Sequence, residues 1–247
     1  MVENLIHLSK SKYCKSVQCK KILWLDKYKE KEKIVKASES ILNNGTKVGE
    51  LARGFFGEYV NITYNTDLSK MLQDTKKALE NKVSIITEAS FNYNNNFCSV
   101  DILKNNLDGL EIYEVKSSTQ LNDIYVDDAS YQYYVLSSLG YNVKKVSIVY
   151  INNQYIRQGE LELNKLFNIE DITEIVKNKY DEVKENIGQI NKYINNHNKD
   201  NEPEEQIGMR CMKPYFCEYW EYCTRSLPKP NVFDIYGGMH IKQKFEK

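Results

Sequence analysis

Asp101, Glu114 and Lys116 combine residue types that together can hydrolyse a phosphate ester. The stretch "GLEIYEVKSS" (109–118) sets an acid and a lysine two residues apart at the end of an apolar, strand-like run. Positions i and i+2 of a strand share a face, roughly 6.5–7 Å apart. Glu114 and Lys116 therefore look into one space while Val115 turns away. A hairpin through Asn106–Gly109 would pair residues whose numbers sum to 215, setting Asp101 opposite Glu114. Their Cβ atoms would then be about 4.5–5.5 Å apart. Two carboxylates so close repel unless a proton or a cation lies between them. Mg²⁺ or Mn²⁺, which prefer oxygen ligands, suit that position. With Lys116 steadying charge on a phosphate, the set reads as a device for metal-assisted phosphodiester hydrolysis. Taken alone, D…ExK equally describes a surface charge pair.

Cysteine supplies a second constellation. Cys211, Cys217 and Cys223 are spaced C-x5-C-x5-C, and Cys14 or Cys19 could add a fourth thiolate from the other end of the chain. Four thiolates hold a [4Fe–4S] cluster or a zinc ion. The plain alternative is a set of reduced free thiols. Cys98, on a strand leading to Asp101, reads as a small buried hydrophobe.

The elements that would position these groups follow from periodicity. Residues 37–56 read as helix, interrupted around Asn43–Gly45. Strands are expected over 82–93, 97–103 and 110–118, then a helix over 127–140 closed by Gly140, then a strand over 144–152. Apolar residues at helical spacing predict one long amphipathic helix from Ile172 to Ile194. Asp127 and Asp128 read as the cap and first-turn charge of their helix. The chain has 247 residues and zero net charge, so overall charge gives no nucleic-acid signal. Residues 1–36, however, carry ten Lys against four acids, with Tyr13, Trp24 and Tyr28 among them. Such a segment could track a phosphate backbone and stack on bases, although a solvated helix face is the simpler reading. No apolar run approaches the ~20 residues of a membrane helix, and the N-terminus lacks the apolar stretch of a signal peptide. The expectation is a cytoplasmic protein without a membrane partner, in which a disulfide framework has no place.

The strand pair "SVDIL…EIYEVKSS", within a helix–three strands–helix–strand order, resembles the PD-(D/E)XK nuclease core. More narrowly it resembles RecB-type nucleases and the iron–sulfur exonucleases of CRISPR adaptation. The matching stretches are "LSKSKYCKSVQCKKILWL", "GTKVGELAR", "EASF", "VDIL", "EVKSST", "DDASYQYYVL" and "CMKPYFCEYWEYC". They cover nearly the whole chain, and resemble most a bacterial family of uncharacterised proteins with a RecB-like N-terminal domain. The resemblance implies an α/β fold with an αβββαβ core, a mixed central sheet flanked by helices. It further implies a single nuclease-like domain over 1–247. Its core lies at about 37–152, a cysteine-bearing clasp at about 1–36 and 207–226, and a helical extension at about 170–197.

Carried over by position, Asp101 and Glu114 become metal carboxylates, the Val115 carbonyl a further ligand and Lys116 the catalytic lysine. Gln132, in "YQYYVL", becomes a substrate-placing glutamine, while the tyrosine expected four residues later is Leu136. The family's helical "GxxxH" appears as Gly45 and Gly49, without the histidine. Glu50 beside it then serves as an acidic ligand, or as an ordinary helix charge. Glu88, in "TEASF", backs the metal ligands, faces substrate, or pairs with a cation at a strand end. Cys19 fits the family's N-terminal cysteine better than Cys14, joining Cys211, Cys217 and Cys223 around a [4Fe–4S] cluster, with zinc as the alternative. The implied activity is a Mg²⁺- or Mn²⁺-dependent deoxyribonuclease, exonuclease-like, with DNA ends or single strands as partner. In that family a long second region follows, so protein partners or a missing C-terminal region belong to the expectation. A nucleic-acid-binding module without catalysis and a zinc-stapled interaction domain are the competing readings.

Overall fold

The computed structural model describes residues 6–34 and 39–234, with side chains from residue 45 in the second segment. In chain order the elements are β1 (Leu8–Ser9), α1 (Lys10–Gln18), α2 (Lys21–Tyr28), α3 (Glu39–Phe55), β2 (Val60–Asn61) and α4 (Leu68–Glu80). There follow β3 (Ile85–Tyr93), β4 (Asn96–Asn106), β5 (Gly109–Lys116), α5 (Asp123–Ser138), β6 (Val143–Ile151), α6 (Leu163–Leu166) and β7 (Phe167–Asp171). The last are α7 (Thr173–Asn178), α8 (Tyr180–Asn195) and α9 (Trp220–Cys223). Residues group into two compact units, one of 6–13 and 39–187, the other of 14–34 and 188–234.

The first unit is α/β, a mixed seven-stranded sheet flanked by helices. Its strands run β2-β3-β4-β5-β6-β7, with β1 added to β4. β3, β4 and β5 form an antiparallel meander, β6 lies parallel to β5 across the α5 crossover, and β7 returns antiparallel. The β3–β4 turn is Asn94–Asn95, both at positive φ, as a two-residue primed hairpin turn requires. At the β4–β5 turn Gly109 has φ +150°, and a Cβ there would meet the Asn142 carbonyl at 2.6 Å. Only glycine fits.

The observed register pairs Ile102 with Tyr113 and Asn106 with Gly109, the expected sum of 215. Ala52 of α3 packs with Ile85, Ile102, Tyr113, Val149 and Phe167 in one buried cluster, flanked by Val48, Phe55 and Phe56. α5 buries Ala129, Tyr131, Val135 and Leu136. Val135 and Leu136 each contribute about 1.5–3 kcal/mol on leaving water. α4 starts at an Asp67 cap whose side chain accepts from the Ser69 N–H at 3.0 Å.

Several expectations are corrected. α3 runs unbroken through Asn43–Gly45, because burial of Ala52 and its neighbours outweighs the weak helix propensity of Gly and Asn. α5 begins at Asp123 after an Asn122 cap, so Asp127 and Asp128 are neither cap nor first-turn charges. The helix expected over 172–194 is interrupted at Lys179 into α7 and α8. Strands β1, β2 and β7 add to the four expected; two residues each in β1 and β2 are too few to show a period. Tyr13 and Trp24 are fully buried, core residues rather than stacking platforms. The structure places residues 6–13, expected in the clasp, with the sheet, while the expected start of the core at 37 lies outside the described residues.

In the second unit the Trp24 indole donates to the Asn198 carbonyl at 2.8 Å, and the Tyr219 hydroxyl to Asp26 Oδ1 at 2.7 Å. Lys21, also buried, pairs with Glu202 at 2.7 Å. No described helix is long and apolar enough to cross a membrane.

Candidate active site

The site forms where β1 meets β4. β5 pairs with β4 only from Ile102 to Asn106, and β1 pairs in parallel farther back along β4, Leu8 with Asn96 and Ser9 with Phe97. The edge facing β5 is the one left to β1, since β3 pairs with the other at Asn96 and Phe97. The Tyr131 hydroxyl holds the end of β1 by donating to the Leu8 carbonyl at 2.6 Å, and the Tyr131 ring stacks on Tyr13 with centroids 4.7 Å apart. α1 starts at the next residue, Lys10.

The β3–β4 register brackets Glu88 and Asp101, and extending the β4–β5 register by one position adds Glu114, setting the three in one row across β3, β4 and β5. Asp101 Oδ2 accepts from the Val115 N–H at 2.8 Å, which fixes it against β5. Glu114 is 1% exposed and is the hub. Its Oε1 lies 2.6 Å from Lys116 Nζ and 3.0 Å from Lys10 Nζ. Its Oε2 accepts from Gln132 Nε2 at 2.7 Å. From α5, Asp128 Oδ2 takes Lys116 Nζ at 2.5 Å, and its Oδ1 is 3.6 Å from Lys10 Nζ. Three carboxylates thus share two ammonium groups.

Electrostatics follow from that arrangement. Burial and the Glu114 charge push the Asp101 carboxyl up to about 7, against the pull of Lys10 and Lys116. Burial would raise Glu114 as well, but Lys10 and Lys116 outweigh it and hold that carboxyl well below its ordinary range. Asp128 is raised by burial and by Glu114. Burial works against the charge of Lys116, yet Glu114 and Asp128 raise its pKa. Lys10 is likewise raised, as Asp128, Glu114 and Asp101 overcome its burial.

A cavity of about 410 Å³ opens over this row, with Glu88, Asp101, Glu114 and Lys116 on its sheet side and Gly49, Glu50 and Arg53 on its α3 side. Glu50 is exposed at the rim. A side chain at Gly49 would have open space. Glu88, inside β3 rather than at a strand end, has φ +56° and pairs with Arg53 at 2.5 Å. A non-glycine residue in that region is strained, and such strain clusters at functional sites. The fold therefore brings together Asp101, Glu114, Val115, Lys116 and Gln132, with Glu50 and Glu88 on the same cavity. Leu136 is core.

Sequence reasoning missed Lys10, Asp128 and Arg53. Asp128 had a usable signal: it lies four residues before Gln132 on the same helix face. Lys10, 104 residues from Glu114, had none.

The oxygen donors are of the type that suits Mg²⁺ or Mn²⁺, and the two lysines mark where this fold favours positive charge. Among the described residues, no three Asp, Glu, His or Cys side chains converge as they would around a bound ion. The sheet carboxylates close on the lysines instead.

In the second unit the thiols of Cys19, Cys217 and Cys223 each feel the charge of Cys211, and Cys217 and Cys223 that of Cys19 as well. Burial pushes Cys217 up to about 11, and the other three thiols add to the rise. Burial likewise raises Cys19 and Cys223. The Cys217 N–H donates to the Cys211 carbonyl at 2.8 Å, folding the C-x5-C segment back on itself. An all-thiol set suits iron–sulfur or zinc, whose binding would draw its ligands to thiolates. Cys14 is half-buried on α1. Cys98 is buried on β4, and burial raises its thiol.

No protein-family model and no curated protein sequence matches the chain.

Proposed function

We propose that this chain is a divalent-cation-dependent deoxyribonuclease with a PD-(D/E)XK core, exonuclease-like, acting on DNA ends or single strands. One observation carries the reading: Asp101 accepts from the Val115 N–H at 2.8 Å, next to Glu114, whose Oε1 lies 2.6 Å from Lys116 Nζ. When bound, Mg²⁺ or Mn²⁺ would be held by Asp101, Glu114 and the Val115 carbonyl, with Glu50 at the rim, and would supply Lewis acidity to the scissile phosphate. Gln132 orients the Glu114 carboxylate through its amide hydrogen bond. Asp128 and Glu114 hold the Lys116 ammonium, whose charge stabilises the developing negative charge on the phosphate. Glu88 holds Arg53 at the cavity wall.

Cys19, Cys211, Cys217 and Cys223 are the proposed ligands of a [4Fe–4S] cluster, in keeping with a cytoplasmic, reducing setting. Brown protein on anaerobic purification supports iron over zinc. Degradation of labelled single- and double-stranded DNA in Mg²⁺ or Mn²⁺, lost in Glu114→Ala and Lys116→Ala, supports the enzyme. The ammonium of Lys10 on Glu114 favours a second reading, a nucleic-acid-binding module without catalysis. Salt-sensitive DNA binding with no cleavage by anaerobic, cluster-loaded protein would establish that module and refute the nuclease.

A further inference from the structure

Lys10 was given no role by the sequence, and its position is specific. Its Nζ lies 3.0 and 3.1 Å from the two oxygens of Glu114, 3.6 Å from Asp128 Oδ1 and 3.8 Å from Asp101 Oδ1. It therefore straddles the two carboxylates proposed as cation ligands. Lys116 cannot substitute for it, being already shared between Glu114 and Asp128. A buried carboxylate without a counter-charge is costly, and Lys10 meets that need. A divalent cation at the same carboxylates would meet it too, while repelling the ammonium at close range. A lysine carries its charge on a flexible four-carbon stem, so the ammonium can leave without moving β1.

We infer that Lys10 is a built-in counter-cation: its ammonium and a divalent cation compete for Asp101 and Glu114, so Lys10 sets the affinity of the site for metal. The inference rests on the reading above in taking these carboxylates as a divalent-cation site. It adds a residue that tunes when the site is loaded. Lys10 is thus a positioning and affinity-setting residue, distinct from Lys116.

Mn²⁺ binding to the full chain, followed by electron paramagnetic resonance of the free ion, tests it. Lys10→Met and Lys10→Gln should each bind one Mn²⁺ about tenfold or more tighter than wild type, since a repelling charge is removed. Adding Glu114→Gln to either should abolish that binding. Equal or weaker binding in a folded Lys10 variant, as judged by circular dichroism, overturns the inference while leaving the cation site in place. Tighter binding in the variants, with wild type cleaving no DNA when anaerobic and cluster-loaded, retains the inference and refutes the nuclease. Absence of Mn²⁺ binding in every protein refutes both. If neither variant folds, wild type decides: reductive methylation of Lys10, read by mass spectrometry, should quicken several-fold with Mn²⁺, and an unchanged rate overturns the competition.

Discussion

Replacing Asp101 by Asn should stabilise the cation-free protein, and increasingly so as the pH rises. The side chain is 26% exposed, and burial with the Glu114 charge moves its carboxyl from 3.8 to about 7. A carboxyl whose folded pKa is raised binds its proton more tightly in the fold than in the unfolded chain. Its contribution is fully present below the unfolded value, declines as pH rises between the two, and is lost above the folded value. At about 1.4 kcal/mol per unit, the full window corresponds to about 4 kcal/mol. Partial exposure and the freedom of Lys10 and Lys116 to readjust cut this, and about 2 kcal/mol is the expected gain from Asn near pH 8. Asn keeps an oxygen for the Val115 N–H, so the local hydrogen bond survives. Urea unfolding of wild type and Asp101→Asn in metal-free buffer, at about pH 5 and about pH 8, reads the effect directly. Titrating groups remote from Asp101 are common to both proteins and cancel in the difference. A variant no more stable than wild type near pH 8, or a difference equal at the two pH values, would show that Asp101 carries no such burden.

Two further substitutions probe the scaffold. Tyr131→Phe removes the hydroxyl that donates to Leu8, one hydrogen bond between buried groups, which should cost about 0.5–1.5 kcal/mol in urea unfolding. Amide exchange at Leu8 should quicken in the same variant. Gly109→Ala puts a Cβ 2.6 Å from the Asn142 carbonyl and 2.7 Å from Lys144 Cγ at φ +150°. A loss of more than about 2 kcal/mol in thermal or urea unfolding is expected, and a loss below about 0.5 kcal/mol would mean the turn relaxes.

Much of the sheet is legible from local pattern. β3, β4 and β5 alternate or run apolar between short turns, and one hairpin closure is enough to bring Asp101 to Glu114. What pattern conceals is whatever tertiary contact decides. α3 crosses Asn43–Gly45 because the sheet buries Ala52, a fact invisible to propensity. Asp128 looks like a helix-start charge until Asn122 takes the cap and turns the acid inward. Lys10 sits in a lysine-rich segment whose other members give no hint that one of them is drawn into the sheet. β1 itself is two residues long, shorter than any period that could announce it.

The reach of β1 has a kinetic side. Its pairing of Leu8 with Asn96 of β4 and the Lys10–Glu114 contact, 104 residues apart in the chain, close long loops, which carries an entropy cost that the β3–β4–β5 meander does not face. The meander can form early from local turns, whereas the ammonium arrives only when the first-made segment returns to the edge of β4. In native-state hydrogen exchange β1 should then belong to the earliest opening unit of the sheet, far below global unfolding. The carboxylates would be uncovered by a brief fraying of one short strand while the rest of the sheet stays shut.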